Sequence, residues 1–284
     1  MAELKTRYVF DWHRIFAEDG YHIEYSVTDI CNRNCASCSH LAPLAKHPNF
    51  VTAEAFAHDV RIMRRVVPDA HTFWLTGGEP TLHPGYMELL RVLRNTYPDC
   101  YVGIYSNGLT LRARENDADF WKFVREADIV WAVTNYEIPR EYFEELFAAH
   151  GCANYLAIVQ SGSTFAKLTN YARDQSVSRE KYIKCGWERS KINIRNGRIY
   201  NCPSSEFADL FNGFYGEDLK VTENDYLAID EDLTRHRLED FRGPMPFCGQ
   251  CDINARHHAF PNRPSARDKL EWSDSGPKIE PISF

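Results

Sequence analysis

Cys31, Cys35 and Cys38 lie within eight residues, spaced C-x(3)-C-x(2)-C. A loop of that length can turn three thiolates toward one point. A closed tetrahedral zinc site wants four ligands, and this set is one short. A cubic 4Fe–4S cluster can take one thiolate on each of three irons and keep the fourth iron open to another ligand. Such an open iron is a place for chemistry. Two plainer readings stand beside it: three buried thiols with no ligand role, and a zinc site that borrows His40.

A second set lies late in the chain. Cys185 precedes Lys191–Arg195, which alternates like a strand. Asn196-Gly197 supplies a two-residue hairpin turn and the chain returns to Cys202. Cys248 and Cys251 form a C-x(2)-C pair. Four cysteines make a closed tetrahedral set, and on spacing alone structural zinc fits it. Between the two sets lies Gly77-Gly78-Glu79-Pro80. The glycines let the backbone approach a ligand closely or take positive φ, Glu79 can accept from an ammonium, and Pro80 stiffens the turn.

In this order, the three-cysteine loop and the Gly-Gly-Glu-Pro turn resemble the radical S-adenosyl-L-methionine (SAM) superfamily. The resemblance implies that Cys31, Cys35 and Cys38 hold a 4Fe–4S cluster whose fourth iron takes the amino and carboxylate groups of SAM. It implies that Gly77, Gly78, Glu79 and Pro80 hold the SAM amino group. Ser106-Asn107-Gly108 is similar to the family's strand-end "TNG" element, which implies polar contacts to SAM from Ser106 and Asn107; a plain turn is the other reading. Asn135 ends a further strand on the same side. Ser37 departs from the aromatic or apolar residue usual before the third cysteine. C-x(11)-G-x(4)-C, a gap, then C-x(2)-C resembles the "twitch" form of the SPASM extension. That implies an auxiliary 4Fe–4S cluster on Cys185, Cys202, Cys248 and Cys251, and so two clusters in all. Cys100 and Cys152 stand at amino ends of strands and read as core or surface thiols.

The elements that must position these groups read as alternating strands and helices. Strands are expected at His22–Thr28, Thr72–Thr76, Tyr101–Tyr105, Ile129–Thr134 and Tyr155–Val159. Helices are expected from a Thr52 cap to about Val67, at Tyr86–Asn95, Phe120–Arg125 and Arg140–Ala149, with Trp12 and Phe16 on a short helix in the lead-in. Alternation of this kind means a parallel α/β sheet, with ligands at the carboxyl ends of its strands. The resemblance implies a partial (β/α)6 barrel. The expected organisation is a lead-in over 1–20, the barrel over 21–180, a twitch-like auxiliary domain over 181–255 and an extended tail over 256–284 that wraps the surface.

The chain has 284 residues, 44% of them hydrophobic, nine cysteines and a formal net charge of −7. No apolar run approaches the ~20 residues of a membrane span, and no leader opens the chain. Nine cysteines then point to metal or redox work in the cytoplasm rather than disulfides. No Lys/Arg stripe marks a nucleic-acid partner.

What the resemblance implies is a radical SAM enzyme acting on a small polar molecule: a carbohydrate, aminocyclitol or nucleoside. A flavodoxin or ferredoxin would supply single electrons. Chains of this length with a twitch region resemble the 2-deoxy-scyllo-inosamine dehydrogenase type, in which an alcohol is oxidised and the auxiliary cluster takes the electron. A peptide- or protein-modifying maturase, a redox-neutral epimerase or dehydratase, a carbon-skeleton rearrangement and a non-catalytic metal-binding module are the alternatives. The catalytic base is not legible; His40, Tyr136 and His258 are candidates by position only.

Overall fold

The computed structural model describes residues 20–159, 164–173, 175–185, 191–253 and 259–273. The expected helix at Trp12 and Phe16, and His258, lie outside them. Five strands are neighbours in space as in sequence: β1 (Tyr21–Thr28), β2 (Ala70–Gly77), β3 (Tyr101–Ser106), β4 (Val130–Thr134) and β5 (Leu156–Val159). All neighbours among them pair in parallel. Parallel pairing demands crossovers, supplied by helices α1 (Ala53–Val66), α2 (Tyr86–Thr96), α3 (Ala118–Glu126) and α4 (Arg140–Ala149).

Local chemistry sets these helices. Thr52 accepts a hydrogen bond from the Ala55 N–H at 3.2 Å and caps α1, and Pro68 comes just after its end. Asp117 caps α3 by accepting from the Phe120 N–H at 3.0 Å. Phe56, Val60 and Met63 of α1, and Leu89, Leu90 and Leu93 of α2, recur at helical spacing. They pack on Ile23, Tyr25, Val27, Phe73, Leu75, Val102 and Ile104. The opposite face of the sheet takes the alternate residues. Trp74, Val130, Ala132 and Ala157 cluster there with Tyr105, beside the polar Glu24, Ser26 and Thr76.

The sheet departs from six consecutive barrel strands. The next strand, β6 (Thr164–Ala166), leaves the sheet and pairs antiparallel with β10 (Ala259–Pro261). The sixth parallel strand is β7 (Lys191–Arg195), which lies on the outer side of β1, with Ile23 opposite Ile192. β7 turns through Asn196-Gly197, both at positive φ, into β8 (Arg198–Tyr200), and β9 (Tyr226–Ala228) adds beyond it. The expected hairpin is therefore present, and it continues the main sheet in the order 5-4-3-2-1-7-8-9. β7 succeeds there because Ile192 and Ile194 join the same core as β1. Among the described residues no helix is long and apolar enough to cross a membrane.

Candidate metal centres and the site between them

The first cysteine loop leaves the carboxyl end of β1. Its three thiols are free and half-buried. The Arg33 backbone N–H donates to Cys31 Sγ at 3.3 Å, and Arg33 Nε donates to Cys35 Sγ at 3.1 Å. Asn107 Nδ2 lies 3.7 Å from Cys31 Sγ. Burial pushes the Cys31 thiol up to about 12, the neighbouring Cys38, Glu79 and Cys35 adding to it against the Arg33 N–H. Burial likewise pushes Cys38 up to about 11, partly offset by hydrogen bonds from the backbone of Ala42, His40 and Leu41. Three thiols that resist ionisation while donors point at their sulfurs suit a bound cation, which takes up the thiolate charge. Ser37, in left-handed conformation between Cys35 and Cys38, is buried, and its Oγ has no hydrogen-bond partner among the described residues. A polar atom orphaned inside a cysteine loop fits a group held there.

The Gly-Gly-Glu-Pro turn seats directly on that loop. The Gly78 N–H donates to Thr28 O and the Glu79 N–H to Ile30 O, each at 2.8 Å. Gly77 has φ +128°, and a Cβ there would stand 2.2 Å from Thr28 O; one on Gly78 would stand 2.0 Å from Ile30 O. What the two glycines admit is the chain entering the cysteine loop. Pro80 opens a short 3-10 turn. Glu79, 1% exposed, accepts from Thr81 Oγ1 at 2.6 Å, Ser106 Oγ at 2.9 Å and the Asn107 N–H at 2.8 Å. Burial outweighs these donors and holds its carboxyl above the usual range. Asn107 Nδ2 reaches on to Asn32 Oδ1 at 2.7 Å. Glu79 thus ties the ends of β2 and β3, and Asn107 ties both to the cysteine loop. Asn135 is buried at the end of β4, its N–H donating to Val159 O at 3.2 Å.

Two of the candidate bases are also placed. His40 is bonded to the Gly77 backbone, and burial lowers its pKa. Its ring meets Phe207 at 5.1 Å. Tyr136 lies under the Arg33 guanidinium, 4.0 Å from its ring centroid, and burial raises its pKa. Arg33 also pairs with Glu137.

Cys185, Cys202, Cys248 and Cys251 line one pocket, with Met245 and Phe247 among its apolar walls. Cys185 comes directly after helix α5 (Arg179–Lys184), and Cys202 immediately precedes helix α6 (Pro203–Glu206). Among the described residues none of the four is in a disulfide. Lys181 Nζ donates to Cys248 O at 2.6 Å and braces the C-x(2)-C turn. Among the described residues no three ligating side chains converge on the position of a single metal ion.

Between the two sets run contacts that the sequence pattern does not reveal. Arg195, at the end of β7, forks onto Asp29 and also pairs with Asp209 at the start of helix α7 (Ala208–Tyr215). Glu206, 3% exposed, accepts from Ser26 Oγ at 2.6 Å. Burial pushes its carboxyl up to about 8, against the Ser26 hydrogen bond and Arg195. Only Arg195's place in an alternating strand, pointing away from Ile194, hinted that its side chain joins Ser26 and Glu24 on the site face.

The Radical SAM superfamily profile matches residues 25–220, more than half of the 284 residues. The chain belongs to the radical SAM superfamily. The GTP 3′,8-cyclase of Photorhabdus laumondii is 30% identical over 111 residues, which are 38% of this chain and 32% of the cyclase, so the chain spans about a third of that relative. BtrN, solved in complex with AdoMet and 2-DOIA, superposes with a TM-score of 0.50 at 14% identity, over 83% of this chain and 94% of BtrN. Native anSMEcpe with bound AdoMet gives 0.46 at 14% identity, over 77% and 80%. At these identities the likeness to BtrN speaks for the fold alone.

Membership in the radical SAM superfamily implies SAM and a 4Fe–4S cluster as cofactors. Cys31, Cys35 and Cys38 are the three cysteines that would hold the cluster. The two remaining thiols of this radical SAM chain are core residues: Cys100 and Cys152 are both buried on the helix-covered side, at the amino ends of β3 and β5. Neither reaches the carboxyl ends where Glu79, Asn107 and Asn135 gather.

Proposed function

We propose that this radical SAM protein oxidises an alcohol carbon of a small polar substrate, a carbohydrate, aminocyclitol or nucleoside, with an auxiliary 4Fe–4S cluster on Cys185, Cys202, Cys248 and Cys251 as electron acceptor. The observation that carries this is the shared pocket lined by all four of those cysteines. Complete cysteine ligation leaves no iron open for substrate, which suits electron transfer. BtrN, whose fold this chain shares, was solved with AdoMet and 2-DOIA, and a small polar ligand is carried over from it here as part of the proposal.

SAM bound at a three-cysteine cluster supplies hydrogen-atom removal from an unactivated C–H bond. The chain's own residues do the rest. Gly77, Gly78, Glu79 and Pro80 orient the SAM amino group, and Ser106, Asn107 and Asn135 give its polar contacts. Trp74, Tyr105, Ala132 and Ala157 present an apolar wall that keeps water from the reacting carbon. Ser26, Thr76, Glu24 and Glu206 offer hydrogen bonds to hydroxyl or amino groups on the same face. The core placement of Cys100 and Cys152 disfavours the epimerase reading, which asks for a thiol beside the substrate. A one-electron donor of the flavodoxin or ferredoxin class completes the system.

The test is the iron and zinc content of anaerobically purified protein, with Mössbauer spectroscopy. About eight irons per chain in two 4Fe–4S clusters is the expected result. About four irons and one zinc would remove the electron acceptor and with it the dehydrogenase reading.

A further inference from the structure

The last described segment, 262–273, runs along the first cysteine loop. The Ala36 N–H donates to Arg263 O at 3.0 Å and the Ser265 N–H to Asn34 O at 2.8 Å. Asn34 Nδ2 donates to Ser265 O at 2.9 Å, and Cys35 forms an antiparallel bridge with Pro264. The backbone on both sides of Cys35 is therefore held by this strap. Glu271, 1% exposed, keeps the strap folded by accepting from Ser265 Oγ at 2.5 Å, the Ala266 N–H at 2.9 Å and Arg263 Nη1 at 3.2 Å. The fully buried Trp272 donates from Nε1 to Cys38 O at 2.8 Å.

The far side of Trp272 meets the second cysteine set. The Tyr171 N–H donates to Trp272 O at 2.7 Å. Tyr171 also forms an antiparallel bridge with Cys251, and its hydroxyl donates to Ser204 O at 2.9 Å, two residues after Cys202. Cys38 and Cys251 are thus joined through two residues, with a hydrogen bond or bridge at every joint. A tail that only wrapped the surface would not bury Trp272 and Glu271.

We propose that Trp272 is a positioning residue for the SAM-binding cysteine loop, and that through Tyr171 it makes the shape of that loop depend on the second cysteine set. Groups that orient a metal ligand from behind typically matter about 10–100-fold in metal affinity or activity. The inference rests on the first cysteine set holding the SAM-binding cluster and is independent of alcohol oxidation.

The experiment uses the full chain, anaerobically loaded, with Trp272→Phe, which keeps a buried ring and removes the N–H. SAM is titrated against the reduced first cluster, monitored by the change in its EPR spectrum. The expected result is SAM affinity weakened about five- to tenfold with the cluster present. Affinity within twofold of the unaltered protein, even with a lowered melting temperature, would leave Trp272 a packing role only and overturn the proposal. The link is tested by a double-mutant cycle with Cys251→Ser. Cys251→Ser should weaken SAM binding in the unaltered background and add little to Trp272→Phe; fully additive effects overturn the coupling. Should Trp272→Phe fail to load iron, Tyr171→Phe, which releases only the Ser204 end, should shift SAM affinity in the same direction, and no shift sinks the link. Loss of ketone formation with these affinities intact would count against the proposed function alone.

Discussion

Arg195 holds Asp29 through two parallel hydrogen bonds, Nε to Oδ1 at 2.8 Å and Nη2 to Oδ2 at 2.7 Å. Both side chains are almost wholly buried. Asp29 stands two residues before Cys31, and Arg195 ends β7, so the pair joins the strand that enters one cysteine set to the hairpin that leads into the other. Breaking such a pair leaves the buried Asp29 charge without a counter-ion, held among the described residues only by the neutral Asn49 amide at 2.7 Å. Arg195→Met should cost about 3–5 kcal/mol of stability. Arg195→Lys should cost less while still losing the fork. Urea unfolding of both variants checks the order; equal stability of Arg195→Met and the unaltered protein would refute it.

Glu79 accepts from a fourth donor, the Thr81 N–H at 3.2 Å, and is a candidate SAM contact as well. Glu79→Gln replaces one acceptor oxygen by an amide NH₂, so either the bond from the Asn107 N–H to Oε2 or those from the Ser106 and Thr81 hydroxyls to Oε1 lose their acceptor. A loss of about 1–3 kcal/mol in stability is expected, together with at least tenfold weaker SAM binding. Calorimetric melting and a SAM titration read the two effects separately. Retention of SAM affinity would confine Glu79 to joining strand ends.

The two cysteine sets should separate in function. Cys31→Ala should abolish SAM cleavage. Cys248→Ala should spare SAM cleavage at saturating SAM and stop ketone formation. Product analysis of reduced, reconstituted variants distinguishes them, and ketone formation at the normal rate by Cys248→Ala would remove the second set from the reaction.

Glu206 makes stability depend on pH. Its carboxyl is pushed up to about 8 in the folded chain, from an ordinary value of 4.5. A raised pKa means that the contribution is fully present below about pH 4.5 and fades as pH rises through 8. Glu206→Gln does not titrate, so its melting temperature should gain on that of the unaltered protein between pH 5 and 8, by the equivalent of a few kcal/mol at most. A constant gap across that range would show that Glu206 titrates normally.

The parts legible in the sequence are those encoded locally. Strand β3 starts at Tyr101 and helix α4 spans Arg140–Ala149, as alternation and helical spacing predict. The cysteines, the Gly-Gly-Glu-Pro turn and the Asn-Gly hairpin declare themselves by residue type at fixed spacing. Partner choice at long range is what escaped. Nothing local to Lys191–Arg195 says that it pairs with β1, because Ile192 and Ile194 would suit any buried edge. Arg195 and Asp29 are 166 residues apart, and a lone Arg in a strand carries no sign of its carboxylate. Gly77 and Gly78 are readable as glycines that permit close approach, yet the group approaching them is the chain itself. Trp272 sits in a polar, Pro-bearing tail whose composition gives no hint that it reaches Cys38.

Because β7 lies against β1, the catalytic half cannot be cut free of the C-terminal hairpin. A chain ended near residue 180 would leave β1 as a bare edge, with Asp29 stripped of its arginine and Ile23 and Tyr25 of Ile192 and Ile194. Open edges of that kind recruit other chains and aggregate. Swapping C-terminal halves between relatives to change substrate would therefore have to carry β7, its turn and Arg195 along as one cassette, with the seam placed before Lys191 rather than after the hairpin.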